Sequence, residues 1–273
     1  MKPNFRPLSK TTVWLLTAPM RRYFSPKIFG LENIGQGPYL FVGNHTIYGV
    51  LDVPLYAAVL YRRKNIYLRG LGDHYHFMIP GWGGFLEALG AVHGTPENCA
   101  ALMEQRENII VFPGGGREVC KRKGEAYKLI WKQRTGFARL AIQHGYPIVP
   151  VASVGPENAY SILFDADDFM ASWMGKVLDK NGVVEGLLRN GEAVPPIARG
   201  ILLTPIPRPE RFYVMFGKPI DTSPYQGRQD EKKVQQEVRT LTEKAINAQF
   251  GKLLLYREQD TKKGVLRRIL THL

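Results

Sequence analysis

The feature that most constrains the fold is a series of short, unbroken apolar runs separated by longer stretches of helical character. Tyr39-Leu40-Phe41-Val42 ends at Gly43, and Ile109-Ile110-Val111-Phe112 stops at Pro113-Gly114-Gly115-Gly116. Ile66-Tyr67-Leu68, Ile148 to Ser153, Ile201 to Ile206 and Phe212 to Phe216 are further candidate strands. A strand with one wet face alternates apolar and polar residues. A contiguous apolar run marks a strand buried on both faces. Helical candidates at residues 50–62, 96–106 and 126–144 lie between these runs. The pattern implies a single α/β domain whose central sheet is largely parallel, mixed, and flanked by helices. No internal repeat is present.

Two segments interrupt the alternation. Residues 156–200 hold the acidic cluster Asp165, Asp167 and Asp168, then Trp173-Met174, then Pro195-Pro196, and read as an insertion or lid. From Asp230 to Tyr256, the positions Val234, Val238, Leu241, Ala245 and Ala248 form one apolar stripe, the mark of a long helix packed on the core. The chain therefore divides into an amphipathic N-terminal segment (1–25), a main domain (26–256, with 156–200 inserted) and a basic tail (257–273). In the tail, Val265, Leu266, Ile269 and Leu270 surround Arg267 and Arg268, a pattern suited to touching a membrane.

Lys and Arg number 37 against 24 Asp and Glu, a net charge of +13, so the expected partner is anionic: nucleic acid, membrane surface or phosphorylated substrate. The longest unbroken apolar run, Val53 to Tyr61, is nine residues and contains Pro54. A spanning helix needs roughly 18. Lys2, Arg6 and Lys10 precede Val13-Trp14-Leu15-Leu16, and Arg21-Arg22-Tyr23-Phe24 follow. This is too short for a secretory signal. It suits either a helix lying in a bilayer interface or one packed on the domain's own core. Cys99 and Cys120 are too few to staple the chain and read as reduced residues of an intracellular compartment.

Several chemistries are excluded. Residues 151–155, Val-Ala-Ser-Val-Gly, are one glycine short of a nucleophile elbow. Neither a Walker loop nor G-x-G-x-x-G occurs. His74 and His76 have no matching ligand cluster, so no metal is expected. Three pieces remain. Gly43-Asn44-His45-Thr46 follows the first strand, where a histidine serves either as a general base or as a cap for the next helix. Phe112-Pro113-Gly114-Gly115-Gly116-Arg117-Glu118 follows another strand. Its glycines leave N–H groups open to an oxyanion or phosphate, and Arg117 adds a permanently charged fork. Tyr146-Pro147-Ile148-Val149-Pro150-Val151 is a proline-bounded buried strand.

These three pieces, in this order and with an Asp downstream of Asn44-His45, resemble the motifs of the lysophospholipid acyltransferase superfamily. FPGGGREV, then YKLIWKQRTGFARLAIQHGYPIVPV, is similar to the type-two monoacylglycerol and diacylglycerol acyltransferase branch and its bacterial relatives. Gly84-Phe85-Leu86 through Gly90 to Asn98 resembles the family's second block, and the similarity runs from about residue 25 to 250. The resemblance implies transfer of a fatty acyl group from acyl-CoA or acyl carrier protein to a hydroxyl of a lysophospholipid, monoacylglycerol or diacylglycerol. No cofactor and no covalent enzyme intermediate are needed. The charge of +13 without a span, with basic apolar segments at both ends, points to a peripheral protein on the cytoplasmic face of a membrane, and the resemblance implies lipids and an acyl thioester as partners rather than nucleic acid. His45 would be the base and Asp52 its partner. Asn44, Phe112, Pro113, Gly114, Gly115, Gly116, Arg117 and Glu118 would line the substrate site.

Two departures stand out. The family usually carries Asp five positions after the His, where this chain has Val50; the first Asp is Asp52. Seven residues of straight helix rise roughly 10 Å, so Thr46 to Gly49 must loop if Asp52 is to orient His45. Otherwise Glu118 is the substitute, or His45 works unaided. Phosphate-handling members commonly carry Glu at Gly114, which counts against a lysophosphatidic acid acceptor. The competing readings are an esterase or thioesterase using the same histidine with water, and a non-enzymatic basic binding module.

Overall fold

The computed structural model describes residues 5–186, 188–189, 191–261 and 265–272. Lys2 lies outside them, as do the side chains of Val265, Leu266 and Arg268 in the tail. The apolar runs form the middle of a seven-stranded sheet in the order β1-β9-β6-β2-β5-β3-β4. The strands are β1 (Lys27–Phe29), β2 (Leu40–Gly43), β3 (Leu68–Gly72), β4 (Val92–His93), β5 (Asn108–Val111), β6 (Ile148–Val154) and β9 (Tyr213–Phe216). All pairings are parallel except β6 with β9. A separate two-stranded ribbon pairs β7 (Ser161–Phe164) with β8 (Ile197–Arg199) inside the insertion.

Burial on both faces follows from the contiguous apolar runs. Leu40, Val42, Ile109, Val111, Ile148 and Ala152 point into one core, shared with helices Pro96–Glu104, Gly136–His144 and Lys232–Gln259. Their neighbours Phe41, Ile110, Val149 and Val151 point into a second core on the other face, where helix Val53–Lys64 contributes Tyr56 and Leu60. The long helix buries Val234, Val238, Ile246, Phe250 and Leu253, close to the expected stripe, although Leu241 is exposed. It runs three residues past the expected boundary at 256.

Three local expectations are corrected. Ile201 to Ile206 is not a strand. Gly200 N–H bonds the Thr204 carbonyl and Ile201 N–H bonds that of Ile206, closing a tight loop that leaves Leu202 and Leu203 in solvent. Only Gly136–His144 of the 126–144 stretch is helical; before it the chain turns repeatedly, with Tyr127 and Lys132 at positive φ. The strand expected at Ile66 begins at Leu68. The N-terminal segment forms helices Lys10–Leu16 and Ala18–Phe24 and fits both readings: Phe24 is buried, while Leu15 and Leu16 are exposed.

Candidate active site

Parallel pairing of β2 with β5 and β6 brings three carboxyl ends together. Val42 lies opposite Val111 and Gly43 opposite Val151. His45 and the glycine loop therefore leave the sheet side by side, at the edge where α/β proteins bind ligands. The Phe112 ring stacks on the His45 imidazole, centroids 4.2 Å apart and planes 21° from parallel. Asn44 is buried and locks β2 to β6: its Oδ1 accepts from Ser153 N–H at 2.8 Å and its Nδ2 donates to the Ser153 carbonyl at 3.1 Å. It aligns the strand end and has both amide groups committed to backbone.

The chain after His45 does loop. Ile47–Gly49 is a 3-10 turn, with Gly49 N–H bonded to the Thr46 carbonyl at 2.9 Å. Tyr48 and Gly49 both have positive φ, 58° and 67°. Gly49 is required twice over: its backbone is left-handed, and a Cβ there would stand 2.2 Å from His45 Cε1. The loop nonetheless does not deliver Asp52 to the ring. Asp52 Oδ1 accepts from Thr46 Oγ1 at 3.0 Å, and His45 Nδ1 has no hydrogen-bond partner among the described residues. The expected His45–Asp52 hydrogen bond is not made, because the carboxylate closes the loop on Thr46 instead. Burial raises the Asp52 carboxyl above its ordinary value.

Glu118 is the carboxylate that meets the histidine, through the backbone. It is fully buried; Oε2 accepts His45 N–H at 2.9 Å and Oε1 accepts Ile130 N–H at 2.8 Å. Its side chain fills the space beside Gly114, where a Cβ would come within 2.2 Å of the Glu118 Cγ and Cδ. Any side chain at 114 would therefore displace Glu118 and release the His45 loop. Gly115, at φ 52°, spends its N–H on the Phe112 carbonyl at 2.9 Å. Gly116 faces open space; a Cβ there would meet only Arg189 and Asp73, at 3.9 Å. The Pro113 carbonyl accepts from Arg134 Nη1 at 2.7 Å.

Arg117 was expected to hold a phosphate. Its fork instead grips Glu125, with one bond at 2.9 Å and a second, shorter one, and also donates to the Cys120 carbonyl at 3.2 Å. Burial alone would raise the Glu125 carboxyl; the bonds from Arg117 and from the Arg122 N–H, with the charges of both arginines, together leave it below its ordinary value. Arg189 likewise makes two bonds to Asp73, at 3.0 and 3.2 Å. His76 Nδ1 accepts from Trp82 Nε1–H at 3.2 Å, and His74 packs near His93.

Burial, then the charges of Lys121 and His76, lower the His45 imidazole to about 3. The ring is thus neutral in the free protein. The two thiols are not nucleophiles: burial pushes Cys99 up to about 12 and Cys120 to about 11. Two groups escaped the sequence reading. Lys121 sits in the run Lys121-Arg122-Lys123, which looks like a solvated basic patch, yet its side chain is 1% exposed. Glu157 follows Pro156 in what reads as a loop, yet its side chain is 4% exposed, and burial raises it to about 7. Nothing in residue type or spacing marks either as interior.

The mixed, mostly parallel sheet flanked by helices matches a fold already solved. The 1-acyl-sn-glycerophosphate (LPA) acyltransferase PlsC from Thermotoga maritima matches with a TM-score of 0.52 at 14% identity, over 88% of this chain and 78% of that one. The family model described as Acyltransferase matches residues 25–154, which hold His45, Asp52 and the glycine loop. Over that stretch the chain matches the acyltransferase family, in line with the motif resemblance. Phytyl ester synthase 1, chloroplastic, of Arabidopsis thaliana is 30% identical over 256 residues, 87% of this chain and 36% of that protein. The Gallus gallus protein named DGAT1/2-independent enzyme synthesizing storage lipids is 36% identical over 125 residues, 46% of this chain and 37% of that protein. The chain spans about a third of the length of these curated relatives.

Proposed function

We propose that the protein is an O-acyltransferase that moves a fatty acyl group from acyl-CoA or acyl carrier protein to the hydroxyl of a neutral lipid. The observation that carries this reading is the placement of the His45 ring. The ring is stacked on Phe112 beside the glycine loop, with Nδ1 unpartnered among the described residues. A neutral imidazole accepts the acceptor's hydroxyl proton while that oxygen attacks the thioester carbonyl. The tetrahedral oxyanion is met by backbone N–H groups of the glycine loop, of which Gly115's is already committed. Collapse expels the thiolate, which takes the proton back from the imidazolium, leaving an ester and a free thiol.

The occupied cations favour a neutral acceptor. Arg117, within the glycine loop, and Arg134 and Arg189, beside Gly115 and Gly116, all hold protein partners. Glu118 also closes the space at Gly114. The names of the two relatives, a phytyl ester synthase and an enzyme synthesizing storage lipids, are consistent with an ester of a long-chain alcohol or a glyceride. The test is an acyl-transfer assay with both donors against diacylglycerol, monoacylglycerol, a long-chain alcohol, lysophosphatidic acid and water. Transfer to neutral hydroxyls supports the reading. Preference for lysophosphatidic acid removes its acceptor half, and release of free acid alone makes the protein a hydrolase.

The same reading places the protein peripherally on a membrane. No helix among the described residues is long and apolar enough to cross one. Leu15 and Leu16 are exposed beside Trp14, whose ring carries Arg21 at 3.3 Å and Arg62 at 4.7 Å. Arg267 of the tail donates to the Tyr23 carbonyl at 2.7 Å and to Ser25 Oγ at 2.9 Å, so both basic, apolar ends form one region. Such a surface binds anionic lipid through charge and shallow insertion. Pelleting with anionic liposomes that weakens at high salt is the expected result; equal binding to neutral liposomes contradicts it.

A further inference from the structure

We infer that Asp73 is a specificity-determining residue: by holding Arg189 beside Gly116 it denies the glycine loop a free guanidinium and so excludes acceptors that carry a phosphate. The inference rests on the reading of the protein as an acyltransferase of neutral hydroxyls. Asp73 follows β3, which pairs in parallel with β5, Gly70 opposite Ile110. It therefore leaves the sheet at the same edge as the glycine loop that follows β5. Arg189 comes from the insertion, 116 residues further on. Its fork closes on the Asp73 carboxylate, with Nη1 donating to Oδ2 at 3.0 Å and Nη2 to Oδ1 at 3.2 Å, and its Cζ lies 4.6 Å from the centre of the Tyr75 ring. The pair stands over Gly116: a Cβ there would meet Arg189 Nη1 and Asp73 Oδ2, each at 3.9 Å.

The three guanidiniums around the loop differ in what a ligand can reach. The Arg117 side chain is 9% exposed and is bound to Glu125. Arg134 lies 3.1 Å from where a Gly115 Cβ would stand and donates to the Pro113 carbonyl, a neutral partner. The Arg189 side chain is 43% exposed, and its partner is the Asp73 carboxylate. Two parallel N–H bonds from one fork are also the way arginine takes a phosphate, so Asp73 occupies the donors that a phosphate would use. Its own charge adds to the exclusion, because a phosphate seated at Gly116 would stand against it. Burial alone would raise the Asp73 carboxyl; the bonds from Arg189 and from the Tyr75 N–H, with the charges of Arg189 and His76, leave it below its ordinary value, so it is ionised at neutral pH. With the Asp73 charge removed, Arg189 at Gly116 and Arg134 at Gly115 would flank the loop as two cations without that carboxylate between a phosphate and the fork.

The test uses Asp73→Asn, Asp73→Ser and the double variant Asp73→Asn/Arg189→Gln. Asp73 caps the helix His74–Met78, its Oδ1 accepting Tyr75 N–H at 3.2 Å. Asn and Ser are both good caps, so the fold is kept, while Asn sets an amide donor against Arg189 Nη1 and releases it. The first readout is calorimetric binding of glycerol 3-phosphate, with coenzyme A as a second ligand. Glycerol 3-phosphate binds about tenfold tighter or more to both single variants than to the wild type, the scale of one charge-assisted bond, and the double variant loses the gain. The second readout is the ratio of acyl transfer to lysophosphatidic acid over transfer to diacylglycerol. It rises by a similar factor in Asp73→Asn and returns to the wild-type ratio in the double variant. Unchanged glycerol 3-phosphate binding in folded Asp73→Asn, or a gain that survives the loss of Arg189, overturns the inference. A gain confined to coenzyme A overturns it too and assigns Arg189 to the acyl donor, and failure of both single variants to fold overturns it by making the pair structural. A wild-type chain that prefers lysophosphatidic acid, or transfers to no acceptor, defeats the reading of the function, while glycerol 3-phosphate binding still decides whether Asp73 withholds Arg189 from phosphate.

Discussion

In the wall near His45, Glu118 is 0% exposed and the Lys121 side chain 1%, whereas in the insertion Trp173 is 77% exposed, and in the loop after it Leu203 is 78% exposed. The interior wall is polar and sealed; the bordering insertion carries ion pairs and apolar residues in solvent. Their attachments differ accordingly. Glu118 is held by buried backbone N–H groups at 2.8 and 2.9 Å. The insertion is tied down by Arg189–Asp73, Lys132–Glu192, Arg122–Asp167 and Lys123–Asp168, and by Tyr48 Oη donating to the Pro196 carbonyl at 2.9 Å. Exposed pairs contribute about 0–1 kcal/mol each, and a buried group that loses its partner costs several times more. The wall is built to stay fixed under the reacting atoms. The insertion is held mostly by surface ion pairs, each worth little.

Substitutions sharpen the contrast. His45→Ala is expected to lower transfer by on the order of 10²–10⁴, with circular dichroism and liposome binding unchanged; wild-type rates in this variant end the catalytic reading. Next come the glycines. Gly49→Ala meets both the left-handed backbone and the imidazole, so it is expected to lose most activity and about 1–3 kcal/mol of stability by denaturant melt. Gly114→Ala displaces Glu118, whereas Gly116→Ala has room. Equal behaviour of these two glycines in the transfer assay contradicts the assigned packing.

Arg117→Ala is expected to cost about 1–3 kcal/mol in thermal melts, with KM little altered, since its fork serves Glu125. A well-folded variant with a raised KM returns Arg117 to the substrate. Glu157 predicts a pH signature. Its folded value of about 7 lies above the model-peptide value of 4.5, so the folded state binds the extra proton between them. Its contribution to stability is therefore present below about 4.5 and is lost as pH rises through about 7. Urea melts of Glu157→Gln should show a flatter pH dependence across that window; an unchanged slope places the titration elsewhere. The smallest effect belongs to the insertion. Trp173→Ser with Leu203→Ser should weaken liposome binding a few-fold while transfer in detergent solution persists; lost transfer in detergent would make these residues part of the site.

Much of the architecture was legible in the chain. Contiguous apolar runs such as Leu40 to Val42 have no polar face to offer water, so a sheet covered on both sides follows from local composition. The positions of His45 and Phe112 after strands placed them at one edge. Ile201 to Ile206 misled because Leu202, Leu203 and Ile206 are exposed: Gly200 and Thr204 close a loop, and apolarity alone does not distinguish an interior strand from an exposed loop tip. Arg117 misled because its partner Glu125 lies eight residues on, across turns that no periodicity announces.

The sequence by itself determined the strand order of chemistry: a histidine loop, a glycine loop and a proline-bounded strand, each following or forming part of a buried run. It also determined the net charge of +13. Only the tertiary structure decided which carboxylate serves the histidine. Asp52 is near His45 in sequence but turns back to Thr46, while Glu118, 73 residues away, takes the His45 N–H. It likewise decided that Lys121, one of three consecutive cations, is the buried one. The physical reason is that hydrogen bonding and desolvation depend on distances of a few ångströms, and parallel pairing of β2 with β5 sets those distances between residues that local sequence does not connect.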